Sequence, residues 1–249
     1  MPLPNLIVIG AMKCGTTSLH HYLGRHPDIA MSRDKELNFF VAERNWTKGV
    51  DWYASRFPEG TRIRGESSPS YTAAAKFPSV PARMHAIVPD ARLVYMVRDP
   101  VERLISNWVH DVAEGKEHRL LAEAAQDDWY LDRSFYWSQI SAYLEHYPLE
   151  RILVIAMEDR AEDRAATLRK VYEFLDVDPD VPMPPGLRLH RSDLKRVKTR
   201  GGAWIERSWL GRGIEALPQR LQWRLREPLY RPFSRRIERP ALSSGSAPL

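Results

Sequence analysis

The fold of this chain is decided by the stretch Leu6-Ile7-Val8-Ile9-Gly10-Ala11-Met12-Lys13-Cys14-Gly15-Thr16-Thr17-Ser18. Its four leading residues are apolar and predict a buried strand, and the two glycines that follow, five positions apart, allow the backbone to turn. Residues 16–24 predict a helix, whose N-terminal N–H groups would face the turn and attract an anion. The pattern therefore predicts a phosphate-binding loop, similar to a P-loop, between a strand and a helix.

The lysine of this loop stands in an unusual position. In loops that bind ATP or GTP, a lysine follows the second glycine and reaches the β- and γ-phosphates. Here Thr16 follows Gly15, and Lys13 precedes that glycine by two residues. We therefore expect a ligand other than a nucleoside triphosphate.

Strand-like and helix-like segments alternate along the rest of the chain. Residue patterns predict further strands at 29–31, 62–66, 92–97 and 152–155, and further helices at 136–147 and 165–175. Asp99 is placed to cap another helix that Pro100 begins. This alternation predicts an α/β fold with a central, mainly parallel sheet flanked by helices and joined by right-handed crossovers. Ligands of such sheets bind at the carboxyl ends of the strands, where the Gly10 loop and Arg98 both fall.

The composition fits one sizeable domain. The chain has 249 residues, 43% of them hydrophobic, and no break in composition, so we expect one domain over residues 1–242 and a disordered tail at 243–249. The single cysteine, Cys14, excludes an internal disulfide framework and a zinc site of several cysteines. No apolar run reaches the ~20 residues that span a bilayer, and the N-terminus does not resemble a signal peptide. We therefore expect a cytoplasmic protein without a transmembrane segment.

The net charge of +5 favours anionic ligands, and much of the basic excess lies between residues 195 and 239. Most of these residues fit a solvated helical face. The segment 196–202 ends in Gly201-Gly202 and predicts a basic loop able to close over a phosphate. A non-catalytic protein that binds anions or nucleic acid is one alternative, and strong salt dependence of binding would indicate it. We expect no nucleic-acid partner, because the basic residues are dispersed among acidic ones.

Four segments of the chain, in order, resemble those of sulfotransferases that use 3′-phosphoadenosine 5′-phosphosulfate as donor: Lys13-Cys14-Gly15-Thr16, Lys35-Glu36-Leu37-Asn38-Phe39-Phe40, Gly65-Glu66-Ser67-Ser68-Pro69-Ser70-Tyr71 and Arg98-Asp99-Pro100-Val101-Glu102-Arg103-Leu104-Ile105-Ser106. The resemblance covers roughly residues 3–178 and is closest to the carbohydrate branch, notably the heparan sulfate 3-O- and N-sulfotransferases, in a bacterial form. It implies transfer of a sulfonyl group to a hydroxyl or amine of a carbohydrate or glycosylated small molecule, without a metal.

The resemblance also implies which residues bind the donor. The 5′-phosphosulfate would be held by Lys13, Cys14, Gly15, Thr16, Thr17 and Ser18, the 3′-phosphate by Arg98 and Ser106, and the nucleotide would be covered by Lys198 and Arg200. Physical chemistry supports the part given to Lys13. In-line displacement builds negative charge on the bridging oxygen of the leaving phosphate, so a lysine beside it stabilises the transition state more than the ground state. We expect Cys14, at a helix N-terminus, to have a lowered thiol pKa.

The acceptor site is implied by the second and third segments. An acceptor hydroxyl is a poor nucleophile at neutral pH, so a general base is expected within hydrogen-bond reach. In the 3-O-sulfotransferases a glutamate at the position of Glu36 has this role, and Glu66 is the competing candidate here. The family has a histidine two residues after that glutamate, where this chain has Asn38, so a glutamate–histidine pair is lost. The family's lysine after the glutamate that matches Glu66 is Ser67 here, and the loss of this positive charge argues against a heavily sulfated polysaccharide. We expect Asn38, Phe39 and Glu66 to contact the acceptor.

Two further alternatives concern the activity itself. A small-molecule kinase could use ATP in the same loop and would depend on magnesium, although the position of Lys13 speaks against it. The other alternative is a protein that has the sulfotransferase fold but has lost its activity because of Asn38 and Ser67. The sequence does not fix the acceptor or the oligomeric state, because acceptor specificity resides in the shape of loops.

Overall fold

The computed structural model of the chain describes residues 2–182, 196–198 and 234–237. Five strands form one sheet: β1 (Leu6–Gly10), β2 (Ile29–Met31), β3 (Ile63–Ser67), β4 (Arg92–Val97) and β5 (Ile152–Ala156). A separate antiparallel pair consists of β6 (Arg196–Lys198) and β7 (Ser234–Arg236). The α-helices in the described residues are α1 (Thr16–Leu23), α2 (Gly49–Ala54), α3 (Val80–Ile87), α4 (Pro100–Ala113), α5 (Leu121–Ala124), α6 (Asp128–Leu131), α7 (Tyr136–Leu144), α8 (Met157–Glu162) and α9 (Arg164–Leu175). Short 3₁₀ helices occupy Trp46–Lys48, Pro69–Thr72, Asp132–Ser134 and Leu149–Arg151.

The five strands of the main sheet are all parallel and stand in the order β2-β3-β1-β4-β5. β1 lies at the centre, where Val8 is opposite Ser67 of β3 on one side and Val94 of β4 on the other. The apolar residues of β1, from Leu6 to Ile9, have no exposed surface, as expected for a parallel strand covered on both faces. The predicted α/β fold with a central parallel sheet flanked by helices is confirmed.

The predicted elements lie close to their expected bounds. The strands predicted at 29–31 and 92–97 have those bounds, and the strand predicted at 62–66 begins and ends one residue later. Asp99 caps α4 as expected, because its carboxylate accepts the N–H of Glu102 at 2.8 Å. The helix predicted at 165–175 is α9, and it buries Leu168, Val171, Tyr172 and Leu175 on one face.

The strand order brings four loops to one edge of the sheet. Because β2, β3, β1 and β4 are parallel neighbours, the segments that follow them lie side by side in that order. Neighbouring strands are about 4.8 Å apart, which puts the loop after β2 roughly 10 Å from the loop after β1. The residues at or after these four strand ends include Glu36, Ser67, Lys13 and Arg98. The segments singled out in the sequence therefore meet at this edge.

The chain divides into two compact units. The first contains residues 1–104 and 126–189, with the whole five-stranded sheet, and the second contains residues 105–125 and 190–249. A small apolar cluster of the second unit consists of Ile105, Val109 and Ile237, with Trp108, Val112, Ala113 and Leu121 packed against it. The expected boundary between one domain and a tail, at residue 242, lies outside the described residues and stays a prediction.

Candidate active site

The loop after β1 is held in a tight turn that requires glycine at two positions. A Cβ atom on Gly10 would lie 1.9 Å from Oγ1 of Thr72, so no side chain fits there. Gly15 has φ +84°, a left-handed conformation that favours glycine. The N–H of Ala11 donates to the carbonyl of Met96 at 2.7 Å and ties the start of the loop to β4. The turn is therefore fixed by its neighbours on the sheet.

α1 begins at Thr16 directly after this turn. Among the described residues, no side chain caps its N-terminus at Gly15. The first N–H groups of a helix have no acceptor within the helix, and they carry the partial positive charge of its dipole. Thr16 and Ser18 are buried, and Thr17 is partly exposed. These features suit the turn to hold an anion such as a phosphate or phosphosulfate group.

Three non-glycine residues near this edge have a left-handed backbone. Lys13, Glu36 and Asn38 have φ values of +72°, +66° and +48°. Such a conformation costs about 1 kcal/mol or more in a residue with a side chain, and it persists where the surrounding structure holds it. Strained residues of this kind are concentrated at functional sites, and here they include the two residues predicted to act in catalysis.

Cys14 differs from its expected chemistry. Burial raises the pKa of its thiol to about 11, although the hydroxyl of Tyr136, 3.7 Å from the sulfur, acts in the opposite direction. The expectation of a lowered pKa at the helix N-terminus is wrong, because the side chain points into the core. Cys14 therefore contributes to the loop through its backbone and packing.

Tyr136 contacts both the loop after β1 and the segment after β4, which no sequence pattern indicated. Besides contacting Cys14, its hydroxyl oxygen accepts the backbone N–H of Arg98 at 3.3 Å. Tyr136 is the first residue of α7 and lies 38 positions from Arg98. Only the fold brings them together, so no local signal could have identified the contact.

Arg98 lies just past β4, as predicted, and its side chain is 14% exposed. Its guanidinium donates to the carboxylate of Glu102 at 2.8 Å. Ser106 is buried on α4 in the second unit, and Lys198 is the last residue of β6, also in that unit. Arg200 lies outside the described residues. The shared role of these residues in holding the nucleotide stays a prediction.

The carboxylate of Glu36 lies at the protein surface, on the loop that follows β2. Its side chain is 50% exposed and forms an ion pair with Lys35 at 2.7 Å. Its backbone N–H donates to the carbonyl of Ser67 at 3.0 Å, which fixes the Glu36 loop against the end of β3. Glu36 is therefore reachable by a bound molecule, as a general base must be.

Glu66, the competing candidate for the general base, is fully buried, unlike Glu36. It has no exposed surface, and its oxygens accept hydroxyl groups from Tyr53 at 2.7 Å, Ser68 at 2.7 Å and Tyr71 at 2.8 Å. Burial raises the pKa of its carboxyl, and these three hydrogen bonds act against that rise. The structure corrects the expectation of acceptor contact at Glu66, because its oxygens are enclosed by protein groups.

Phe39 requires the same correction. It has no exposed surface and stacks on the ring of Tyr53, with ring centroids 4.2 Å apart. Phe40 and Trp46 pack against it at 5.2 and 5.3 Å. The ring of Phe39, which we predicted to contact the acceptor, is therefore part of the core beneath the Glu36 loop.

Asn38 is 7% exposed, and one of its polar atoms lacks a partner among the described residues. Its Nδ2 donates to the carbonyl of Glu36 at 2.6 Å, and its backbone N–H donates to Oγ of Ser68 at 3.0 Å. Its Oδ1 is buried without a hydrogen-bond donor in the part of the chain that the structure describes. A buried acceptor without a donor is destabilising, and because this atom has no exposed surface, contact of Asn38 with the acceptor stays a prediction.

The described residues contain neither a cluster of metal ligands nor a membrane-spanning helix. No group of three or more His, Cys, Asp or Glu side chains in residues 2–182 and the two short described strands is placed to hold a metal. Within the same residues, no helix is both long and apolar enough to cross a membrane.

The family comparison matches residues 3–196 of the chain to the sulfotransferase domain. Among curated relatives, mouse heparan sulfate glucosamine 3-O-sulfotransferase 3B1 is 32% identical over 185 residues, which are 70% of this chain and 46% of the relative. Bifunctional heparan sulfate N-deacetylase/N-sulfotransferase 1 of Caenorhabditis briggsae is 27% identical over 215 residues, which are 76% of this chain and 24% of that relative. The chain thus spans about half the length of the mouse relative.

Solved structures give the same result for the fold. A sulfotransferase from Alicyclobacillus acidocaldarius superposes with a TM-score of 0.67 and 28% identity, covering 76% of this chain and 87% of that protein. Mouse SULT7A1 complexed with PAP superposes with a TM-score of 0.50 and 15% identity over 70% of this chain and 58% of its own, a likeness of fold alone. The kinase and nucleic-acid-binding alternatives gain no support from these comparisons.

Proposed function

The chain belongs to the sulfotransferase family, and on this premise we propose that it transfers a sulfonyl group from 3′-phosphoadenosine 5′-phosphosulfate to a hydroxyl or amine of a carbohydrate or glycosylated small molecule. The observation that carries the proposal is the placement of Lys13 and Glu36. They lie on the loops after β1 and β2, with only the end of β3 between them. A donor loop and a base at one edge of a sheet suit direct transfer between two substrates.

The donor, when bound, supplies the sulfonyl group and a phosphate leaving group. The uncapped N–H groups at the start of α1 bind the oxygens of the 5′-phosphosulfate. The ammonium group of Lys13 stabilises the negative charge that develops on the leaving oxygen. Arg98, at the end of the neighbouring strand β4, offers a charged hydrogen-bond donor for the second phosphate of the nucleotide.

Glu36 acts as the general base on the acceptor. Its half-exposed carboxylate takes the proton from the attacking hydroxyl or amine as the bond to sulfur forms. Lys35 holds that carboxylate through the 2.7 Å ion pair. General base catalysis of this kind contributes about 10²- to 10⁴-fold to a rate.

We expect the acceptor to be a sugar, because the relatives that match are named for heparan sulfate. Ser67, at the end of β3, carries no charge that would attract a heavily sulfated chain. The mouse relative is named for glucosamine, so glucosamine-containing oligosaccharides are the first acceptors to test. A cytoplasmic location and the absence of a nucleic-acid partner stay predictions.

The proposal is tested with donor labelled at sulfur and a glucosamine-containing oligosaccharide as acceptor. We expect label transfer by the wild-type protein and at least a ~100-fold lower turnover in Lys13→Ala and Glu36→Gln. Lys170→Ala and Glu173→Gln, on α9, are matched controls expected to keep wild-type turnover. Normal turnover in Glu36→Gln would remove its role as base, and failure of the wild-type protein to bind the donor would overturn the proposal.

A further inference from the structure

His20 is a titratable residue on α1 that has no role in the proposed mechanism. It lies on the helix that starts at the phosphate loop, four residues after Thr16, which corresponds to about 6 Å along the helix axis. Its Nδ1 is 3.0 Å from Oγ of Ser67 at the end of β3. The backbone of Ser32, which directly follows β2, also acts on the imidazole and raises its pKa against the effect of burial.

The segment 32–38 carries Glu36 and is anchored near both of its ends to β3. The N–H of Ser32 donates to the carbonyl of Gly65 at 2.7 Å, and the N–H of Glu36 donates to the carbonyl of Ser67 at 3.0 Å. The imidazole of His20 contacts Ser67, the strand residue at the second anchor. Ser67 therefore joins the first helix, through its hydroxyl and His20, to the segment, through its carbonyl and Glu36.

The charge state of His20 suits this position. Burial, and secondly the positive charge of Lys35, lower the pKa of its imidazole to about 4; His21 acts weakly in the same direction, and the Ser32 backbone acts against it. The imidazole is therefore neutral at physiological pH, and its Nδ1 can share a hydrogen bond with the hydroxyl of Ser67 as donor or acceptor. The carboxylate of Glu36 is paired with Lys35 on the same segment.

We propose that His20 is a positioning residue that locks the Glu36 segment to the helix following the phosphate loop. The inference rests on the proposed function, because it assigns His20 the task of holding the base in place relative to the donor loop. A displacement of 1 Å between reacting groups can lower a rate about 100-fold, so a small shift of this segment has a measurable effect.

The first test measures amide hydrogen exchange of residues 32–38 in the wild-type protein, His20→Ala and His20→Asn, and needs no acceptor. We expect exchange of this segment to rise by about tenfold or more in His20→Ala, while exchange of β1 and β4 stays unchanged. The side chain of asparagine places a polar atom near the position of Nδ1, so His20→Asn restores much of the protection. The matched control is His21→Ala on the same helix, which is expected to behave as the wild type.

The second test separates positioning from a general structural role. Turnover with labelled donor and the glucosamine oligosaccharide should fall at least about tenfold in His20→Ala and recover partly in His20→Asn. Affinity for 3′-phosphoadenosine 5′-phosphate should stay within about threefold of the wild type in both variants. Equal losses of turnover and bisphosphate affinity in His20→Ala would overturn the inference.

The two proposals fail in different ways. Unchanged exchange of residues 32–38 in His20→Ala would overturn the positioning role of His20, whatever the turnover. A wild-type protein that does not bind the bisphosphate would overturn the proposed function, while the exchange experiment would still decide whether His20 holds the segment.

Discussion

The guanidinium of Arg98 is bonded to the carboxylate of Glu102 at 2.8 Å, one helical turn into α4. A phosphate that binds Arg98 competes with this carboxylate. Partly exposed ion pairs contribute up to about 1 kcal/mol, so Glu102→Gln should tighten binding of 3′-phosphoadenosine 5′-phosphate by up to about fivefold. Arg98→Ala should weaken binding about tenfold or more. Both are measured by calorimetric titration.

The ion pair between Arg169 and Glu173 has the same spacing on α9 and is distant in sequence from the donor segments. Glu173→Gln is therefore the control for the Glu102 experiment and should leave bisphosphate affinity unchanged. Weaker binding in Glu102→Gln would mean that the carboxylate orients Arg98 for its ligand instead of competing with it.

Glu36 and Glu66 should respond oppositely to the same substitution. Glu36→Gln changes a half-exposed side chain, so we expect a large loss of turnover with the free energy of unfolding within about 0.5 kcal/mol of the wild type. Tyr53 and Tyr71 donate to one oxygen of Glu66 and Ser68 to the other, so Glu66→Gln puts an NH₂ group, which cannot accept, in place of one of them and should destabilise the fold by about 1–3 kcal/mol. Urea unfolding and turnover assays of both variants distinguish the two roles. The reverse outcome, a stable Glu66→Gln without turnover, would make Glu66 the base.

Protonation of His20 should make the fold less stable in mild acid. Its pKa is about 4 in the folded protein against 6.5 for an unperturbed histidine, so the unfolded chain binds more protons between these two values. Stability is therefore full above pH 6.5, falls as the pH drops toward 4 and levels off below it, with a total loss of up to roughly 3 kcal/mol from this group.

Other groups titrate in the same range, so the measurement is the difference between wild type and His20→Asn in urea unfolding across that range. The variant should lack the His20 contribution, and the control His21→Asn should keep it. Parallel curves for the wild type and His20→Asn would contradict the low pKa of His20.

The Cys14 thiol should resist alkylation in the folded protein. Its pKa of about 11 gives a thiolate fraction roughly two orders of magnitude below that of a free cysteine at neutral pH. Iodoacetamide labelling followed by mass spectrometry should therefore be slow in the native protein and fast in urea. Rapid labelling of the native protein, blocked by the bisphosphate, would instead place the thiol in the donor site.

The sequence predicted those parts of the structure that depend on local patterns. The apolar runs at β1 and β4, the glycines of the first loop and the Asp99 cap are properties of neighbouring residues, and each appears where it was expected. The prediction that the Gly10 loop and Arg98 share one edge needed only the rule for parallel sheets.

The remainder of the site depends on contacts between distant segments. Glu66 is enclosed by Tyr53 and Tyr71, which belong to different elements, and no local pattern distinguishes it from Glu36. The rule that a helix N-terminus lowers a thiol pKa failed for Cys14 because the core, with Tyr136 122 positions away, surrounds it. The bond between His20 and Ser67 likewise required the strand order.

Calorimetric titration of the protein with 3′-phosphoadenosine 5′-phosphate without metal, beside ATP with magnesium, tests the proposed donor site directly. We expect the bisphosphate to bind about 100-fold or more tightly than ATP with magnesium, because Lys13 does not stand where the lysine of a triphosphate-binding loop stands. We also expect Arg98→Ala to reduce binding of the bisphosphate. Tighter binding of ATP with magnesium would contradict the assignment of the donor site.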